Sequence, residues 1–359
     1  MAATGDEVVR EDEAFCAAML PRVSRTFALG IAALPEGLRL ATTAAYLLCR
    51  VADSIEDQTA APPELRRRAL AAFRDEVLAA TTGGGGRGRF GVPPGLLPAL
   101  PAPLGAAWPR EGFEASSGAD DELVRQRHLA LSLFARQPAD VRRVVGPRVV
   151  EMSEGMAEFL QGAGASYPVG SFADLERYCY FVAGTVGHML TGLFAAGDPP
   201  LDGARLETLR ETAERFGIAL QLVNIVKDAA GDLVEGRCFV PRELWPAGLP
   251  YARLPAEGER GPLRAALVEL ADRARPFLAD AQRYLVALPP ERPEARAFCA
   301  LALHLALLTL KACRGAPHLA DPARPVKVSR PQVADVVTWL GRHANDDEAL
   351  ARRFDELAG

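Results

Sequence analysis

Tyr46-Leu47-Leu48-Cys49-Arg50-Val51-Ala52-Asp53-Ser54-Ile55-Glu56-Asp57 carries four polar side chains on one side of an otherwise apolar stretch. Tyr46, Arg50, Asp53 and Asp57 fall at i, i+4, i+7 and i+11, and at 100° per residue the last returns to within about 20° of the first. The spacing predicts a helix with one polar stripe. A second segment repeats the pattern: Gln221, Asn224, Asp228 and Asp232 stand at i, i+3, i+7 and i+11 in another apolar run. Each stripe ends in two aspartates one helical turn apart, roughly 5–6 Å between Cβ atoms, close enough for a hard cation to sit between their oxygens.

Paired carboxylates against apolar neighbours are costly unless something positive meets them. Mg²⁺ is the expected tenant, and because it completes its shell with phosphate oxygens, two such clamps facing one cavity would hold a diphosphate-bearing substrate. Arg50, Lys227 and Arg237 lie near the aspartates in sequence, ready to neutralise phosphate oxygens. The alternative for the same residues is a set of interhelical salt bridges.

Five motifs, in order, resemble the squalene/phytoene synthases, enzymes that condense isoprenyl diphosphates head to head. Ser24-Arg25-Thr26-Phe27 is similar to that family's diphosphate-covering segment, and Tyr46 to Asp57 to its first aspartate-rich helix. Tyr178-Cys179-Tyr180-Phe181-Val182-Ala183-Gly184-Thr185-Val186-Gly187 resembles the family's central Y-C-x-x-V-A-G-x-V-G helix. Gln221 to Asp232, with Arg237 and Pro241 beyond it, resembles the second aspartate-rich helix and its arginine loop. Phe298-Cys299-Ala300 with Val326-Lys327-Val328-Ser329-Arg330 looks more like the squalene branch than the phytoene branch.

The resemblance implies an all-α, terpene synthase-like isoprenoid synthase bundle around a central cavity. It assigns Asp53, Asp57, Asn224, Asp228 and Asp232 to Mg²⁺ and Ser24, Arg25, Thr26, Arg50, Lys227 and Arg237 to substrate diphosphate. Tyr178 is the implied catalytic group, with Tyr46 beside it. Phe27, Val182, Gly184, Gln221 and Phe298 would line the cavity, and Asn224, Lys327 and Arg330 would meet NADPH. For Tyr178 and Phe298 the plain alternative is an aromatic packing role, and for Lys327 and Arg330 a capping or pairing role with nearby helices. The implied reaction joins two farnesyl diphosphates to presqualene diphosphate and reduces that to squalene. Alternatives within the fold stop at presqualene diphosphate, hydroxysqualene or dehydrosqualene, or make phytoene from geranylgeranyl diphosphate; a non-catalytic binding or assembly role is the remote alternative. Three departures stand out: Gly231 where the family commonly has glutamate, Lys227 in place of arginine, and Ser329 interrupting the late basic segment.

The rest of the 359 residues fits a single synthase domain. A net charge of −5 gives no nucleic-acid signature. Six cysteines without C-x-x-C spacing predict reduced core thiols in a cytoplasmic protein. The acidic start lacks an apolar leader. A monomer is expected, with peripheral membrane association for release of an apolar product. Tyr178 to Gly197 is uncharged for twenty residues and reads as a buried helix rather than a span, while Ala297 to Leu310 reads as too short to span. Helices are predicted over 11–34, 36–58, 62–80, 121–136, 139–163, 171–197, 204–230, 262–287, 292–314, 331–341 and 346–357, with no alternating strand pattern. Residues 83–120, with four consecutive glycines, read as a flexible insertion outside the core, and 331–359 as a helical tail.

Overall fold

The computed structural model describes residues 5–83, 104–109, 118–161, 169–196, 201–245, 247–249, 253 and 256–359. Among the described residues there is no strand, and the chain divides into two compact units. Most elements below begin or end where the sequence supplies a cap, a proline or a glycine.

Unit 1 comprises Met1–Gln161 and His188–Leu201. It holds α1 (Gly5–Val23), α2 (Arg25–Ala32), α3 (Glu36–Glu56), α4 (Pro63–Gly83), α5 (Ala119–Arg125), α6 (Arg127–Ala135) and α7 (Ala139–Gln161). The continuous helix predicted over 11–34 is broken at Ser24, whose extended backbone (φ −157°) lets its Oγ accept the Phe27 N–H at 3.2 Å as the cap of α2. Likewise Gln126, outside helical geometry, splits the predicted 121–136 helix into α5 and α6. Proline opens both α3, from position 35, and α4, at its first residue. α3 buries Leu47, Leu48, Val51, Ala52 and Ile55, leaving its polar stripe on the other side, while α4 packs along α7.

Most of the predicted 83–120 insertion lies outside the described residues. Residues 104–109 of it are described, and they contact α4 and α6. Asp75 of α4 accepts the N–H groups of Leu104 and Ala106 at 3.0 and 2.7 Å, and the Arg127 guanidinium lies 3.5 Å from the Trp108 ring centre.

Unit 2 comprises Gly162–Gly187 and Asp202–Gly359. It holds α8 (Phe172–Cys179), a π-helical turn (Tyr180–Gly184), the first residues of α9 (Thr185–Ala195), α10 (Gly203–Val234), α11 (Arg260–Ala287), α12 (Pro293–Gly315), α13 (Arg330–His343) and α14 (Asp347–Ala358). α9 starts in unit 2 and finishes in unit 1. Ser171 and Asp174 form a reciprocal capping box at the start of α8, and Asp202 caps α10 by accepting the Arg205 N–H at 2.8 Å. α10 runs past its predicted end at 230, through Gly231 to Val234, and is closed by Gly236 at φ +79°.

α10 packs along α11, and it also approaches the π-helical turn very closely. A Cβ placed on Gly217 would lie 2.0 Å from the Ala183 carbonyl oxygen, and one on Gly187 would lie 1.9 Å from that of Ala213. Only glycine permits that crossing. The predicted buried helix over 171–197 is therefore three successive pieces, α8, a wide turn and α9.

α13 and α14 pack on α12. Arg296 of α12 is fully buried, donating to the carbonyls of Ala344 and Leu288 at 2.7 Å each and pairing with Asp347. His304, also fully buried, sits edge-on to Trp339 at 5.5 Å. The apolar run thought too short to span lies in the 23-residue Pro293–Gly315 helix, which is long and apolar enough to cross a membrane, though most of that stretch is buried in the protein. All six cysteines are free and buried.

Candidate functional site

In unit 1 the stripe on α3 gathers most of its predicted partners. Tyr46 packs on Phe27 with ring centres 5.3 Å apart, which joins α2 to the stripe. Burial drives the Tyr46 hydroxyl up to about 12, against the opposing effects of Ser24 and Arg50. Arg50 donates from Nε to Asp120 Oδ1 at 2.7 Å. Burial works against its charge, but the bond to Asp120 and the nearby Asp53 and Asp120 carboxylates hold it protonated.

Asp53 is half-buried and its carboxyl is pushed up to about 7. Burial is the main cause, Arg50 opposes it, and Asp57 and Asp120 add repulsion. A carboxylate this unfavourable, with a second one a turn away on Asp57, is a set of oxygen donors short of positive charge, and that fits a small hard cation. Arg25 is exposed and Thr26 half-buried at the start of α2.

Sequence reasoning missed Asp120. It lies 70 residues from Arg50, within the stretch read as an insertion; the signal available was the acidic run Asp120-Asp121-Glu122 opening a helix.

In unit 2 the α10 stripe is divided. Asn224 and Asp228 are exposed, Gln221 and Asp232 half-buried. Lys227 Nζ lies 3.0 Å from Asp228 Oδ2, and Arg237 Nη2 lies 2.8 Å from Asp232 Oδ1 and from Glu235. The loop that returns Arg237 to Asp232 also bonds backbone to backbone, Arg237 N–H to Asp232 carbonyl at 2.7 Å. Cys313, at the end of α12, senses both Lys227 and Asp228, while burial drives its thiol up to about 11. A Cβ on Gly231 would meet nothing within 4 Å, so no crowding accounts for the missing glutamate.

Tyr178 of α8 is buried and its ring stacks on Phe239 at 4.6 Å; Phe239, in the loop beyond α10, was not predicted. Val182 is half-buried and Gly184 buried in the π-helical turn, and Phe298 is buried in α12. Lys327 and Arg330 are exposed, with no ion pair among the described residues. Ser329, read from sequence as a gap in a basic segment, caps α13: it accepts the Gln332 N–H, and Gln332 Oε1 accepts the Ser329 N–H at 2.9 Å.

Among the described residues no three His, Cys, Asp or Glu side chains are grouped closely enough to hold a metal by themselves.

The squalene/phytoene synthase family model matches residues 20–332, across both units. The chain is 28% identical over 304 residues to the squalene synthase of Nicotiana benthamiana, covering 83% of this chain and 64% of that one. It is 27% identical over 341 residues to the squalene synthase of Schizosaccharomyces pombe, covering 92% and 66%. A solved structure of TcSQS with the ligand E5700 superposes with a TM-score of 0.75 at 26% identity, covering 96% of this chain and 92% of that one. A dehydrosqualene synthase crystal structure shares the fold, with a TM-score of 0.62 at 21% identity over 94% of this chain and 97% of that one. This all-helical chain, with an aspartate stripe in each unit, belongs to the squalene/phytoene synthase family.

Proposed function

We propose that this chain is a prenyltransferase of one synthase domain that joins two farnesyl diphosphates head to head into presqualene diphosphate and reduces that intermediate with NADPH to squalene. The observation that carries the reading is the α3 group: a protonated Arg50 beside a carboxylate pair, Asp53 and Asp57, with the hydroxyls of Tyr46 and Ser24 adjoining. Such a group suits an anion that arrives with its own divalent cation.

In this reading the allylic C–O bond of one substrate breaks and its electrons leave with diphosphate. Arg50 and Lys227 meet the developing phosphate charge, and Arg237 joins them by exchanging Asp232 for phosphate. Asp53, Asp57, Asn224, Asp228 and Asp232 are the residues that would hold Mg²⁺, which supplies charge neutralisation of the departing diphosphate. The double bond of the second substrate attacks the cation, and cyclopropane closure releases one proton. The Tyr178 hydroxyl passes that proton towards the released diphosphate, while its ring is kept in place by Phe239. Buried apolar side chains around Tyr178 keep water from the cation. In the second step the remaining C–O bond breaks, its electrons leave with the second diphosphate, and the cyclopropane opens to a cation; Lys327 and Arg330, both exposed, and Asn224 are the residues that would hold NADPH, whose chemistry would be hydride supply to that cation.

The test is incubation of the purified protein with farnesyl diphosphate and Mg²⁺, with and without NADPH, followed by product identification. Squalene only when NADPH is present supports the full reading. Presqualene diphosphate, hydroxysqualene or dehydrosqualene regardless of NADPH would restrict it to condensation, and phytoene from geranylgeranyl diphosphate would change the substrate. Inertness towards both diphosphates would overturn it in favour of a binding role.

A further inference from the structure

We infer that Asp120 is a positioning residue that sets the Arg50 guanidinium for diphosphate; this rests on the diphosphate reading above. Asp120 takes the Nε–H of Arg50 at 2.7 Å, and among the described residues no other side chain hydrogen-bonds to that guanidinium. The two terminal nitrogens are left to present their paired donors to an anion, the geometry that suits a phosphate fork. A flexible arginine gains in this way a fixed orientation before the ligand arrives.

Asp120 is not needed to build its own helix. The cap of α5 is the work of its neighbour, Asp121, which accepts the Gly118 N–H at 3.2 Å and pairs with Gln58. Nor does Asp120 act simply as nearby charge. A bare carboxylate beside an anion site repels the anion, so its removal by itself would strengthen anion binding. Positioning predicts the opposite sign.

The experiment is calorimetric titration of inorganic pyrophosphate with Mg²⁺ into the full chain, for wild type, Asp120→Asn, Arg50→Lys and the double variant, with helix content recorded for each. Asp120→Asn is expected to weaken pyrophosphate binding about tenfold, the scale of one charge-assisted hydrogen bond. Arg50→Lys keeps the charge but has no Nε–H; it should bind at least as weakly, and adding Asp120→Asn to it should change nothing further. Tighter or unchanged binding by Asp120→Asn, or equal losses from that substitution in both backgrounds, overturns the positioning role alone. If Asp120→Asn does not fold, Arg50→Lys decides: undiminished pyrophosphate affinity there overturns the role, since the fork that Asp120 sets would then be dispensable. Wild type that fails to bind pyrophosphate with Mg²⁺ overturns the diphosphate reading and this inference together.

Discussion

Asp53→Asn and Asp228→Asn each remove one carboxylate charge while keeping shape, and each is expected to lower turnover roughly a hundredfold or more. Circular dichroism should show unchanged helix content, because neither side chain anchors the fold. Near-normal turnover of either variant across a Mg²⁺ titration would sink the clamp assignment. Tyr178→Phe is the narrower substitution, since the stack on Phe239 survives and only the hydroxyl goes; presqualene diphosphate formation should fall, and a variant that condenses normally would make Tyr178 a packing residue. At this scale the sequence was informative wherever the functional groups share one helix. Spacing alone put Tyr46, Arg50, Asp53 and Asp57 on one stripe. It could say nothing of Asp120 or Phe239, because contacts across a loop follow from the path of the chain and leave no periodicity behind.

Helices were legible for the same reason, and their interruptions were not. α3, α7, α11 and α12 fall within a few residues of their predicted bounds, since each has an apolar stripe and a starting proline, cap or acid. The break at Ser24 and the wide turn at Tyr180–Gly184 are invisible to a 3.6-residue period, which runs through both. At that turn Gly187→Ala and Gly217→Ala each drive a methyl into a backbone carbonyl, and either should lower stability by about 3 kcal/mol or more. Gly231→Ala, in open space on the same α10, is the control that should keep or raise the melting temperature. The α12–α13–α14 packing carries a pH dependence. His304 is held down to about 4 by burial and by Arg353, so between its unfolded value of 6.5 and about 4 the unfolded chain takes up a proton that the folded one refuses. Stability from this source is complete above pH 6.5 and is lost as pH falls towards 4, on the order of 3 kcal/mol at full effect. His304→Leu should flatten that acid limb in melting curves; an identical limb in both proteins would remove His304 as its cause.

For the whole chain, helical periodicity and the family resemblance predicted the helical class, and the spacing of the cysteines predicted that they are free and buried. The family match extends over both units, so the two aspartate stripes are read as parts of one synthase. The NADPH step tests that reading at its far end: Lys327→Ala with Arg330→Ala should spare condensation and impair reduction, so that presqualene diphosphate accumulates when NADPH is supplied. Unchanged NADPH dependence in the double variant would return both cations to the surface role of an uncommitted helix start. The units also interleave along the chain, since His188–Leu201 belongs to unit 1 while the residues before and after it belong to unit 2. During synthesis, therefore, unit 1 cannot be complete when its first 161 residues have left the ribosome. Its last helix arrives only after α8 and the π-helical turn have been made, so a nascent chain halted shortly after Gln161 should expose an unfilled apolar face, the kind of surface that chaperones engage.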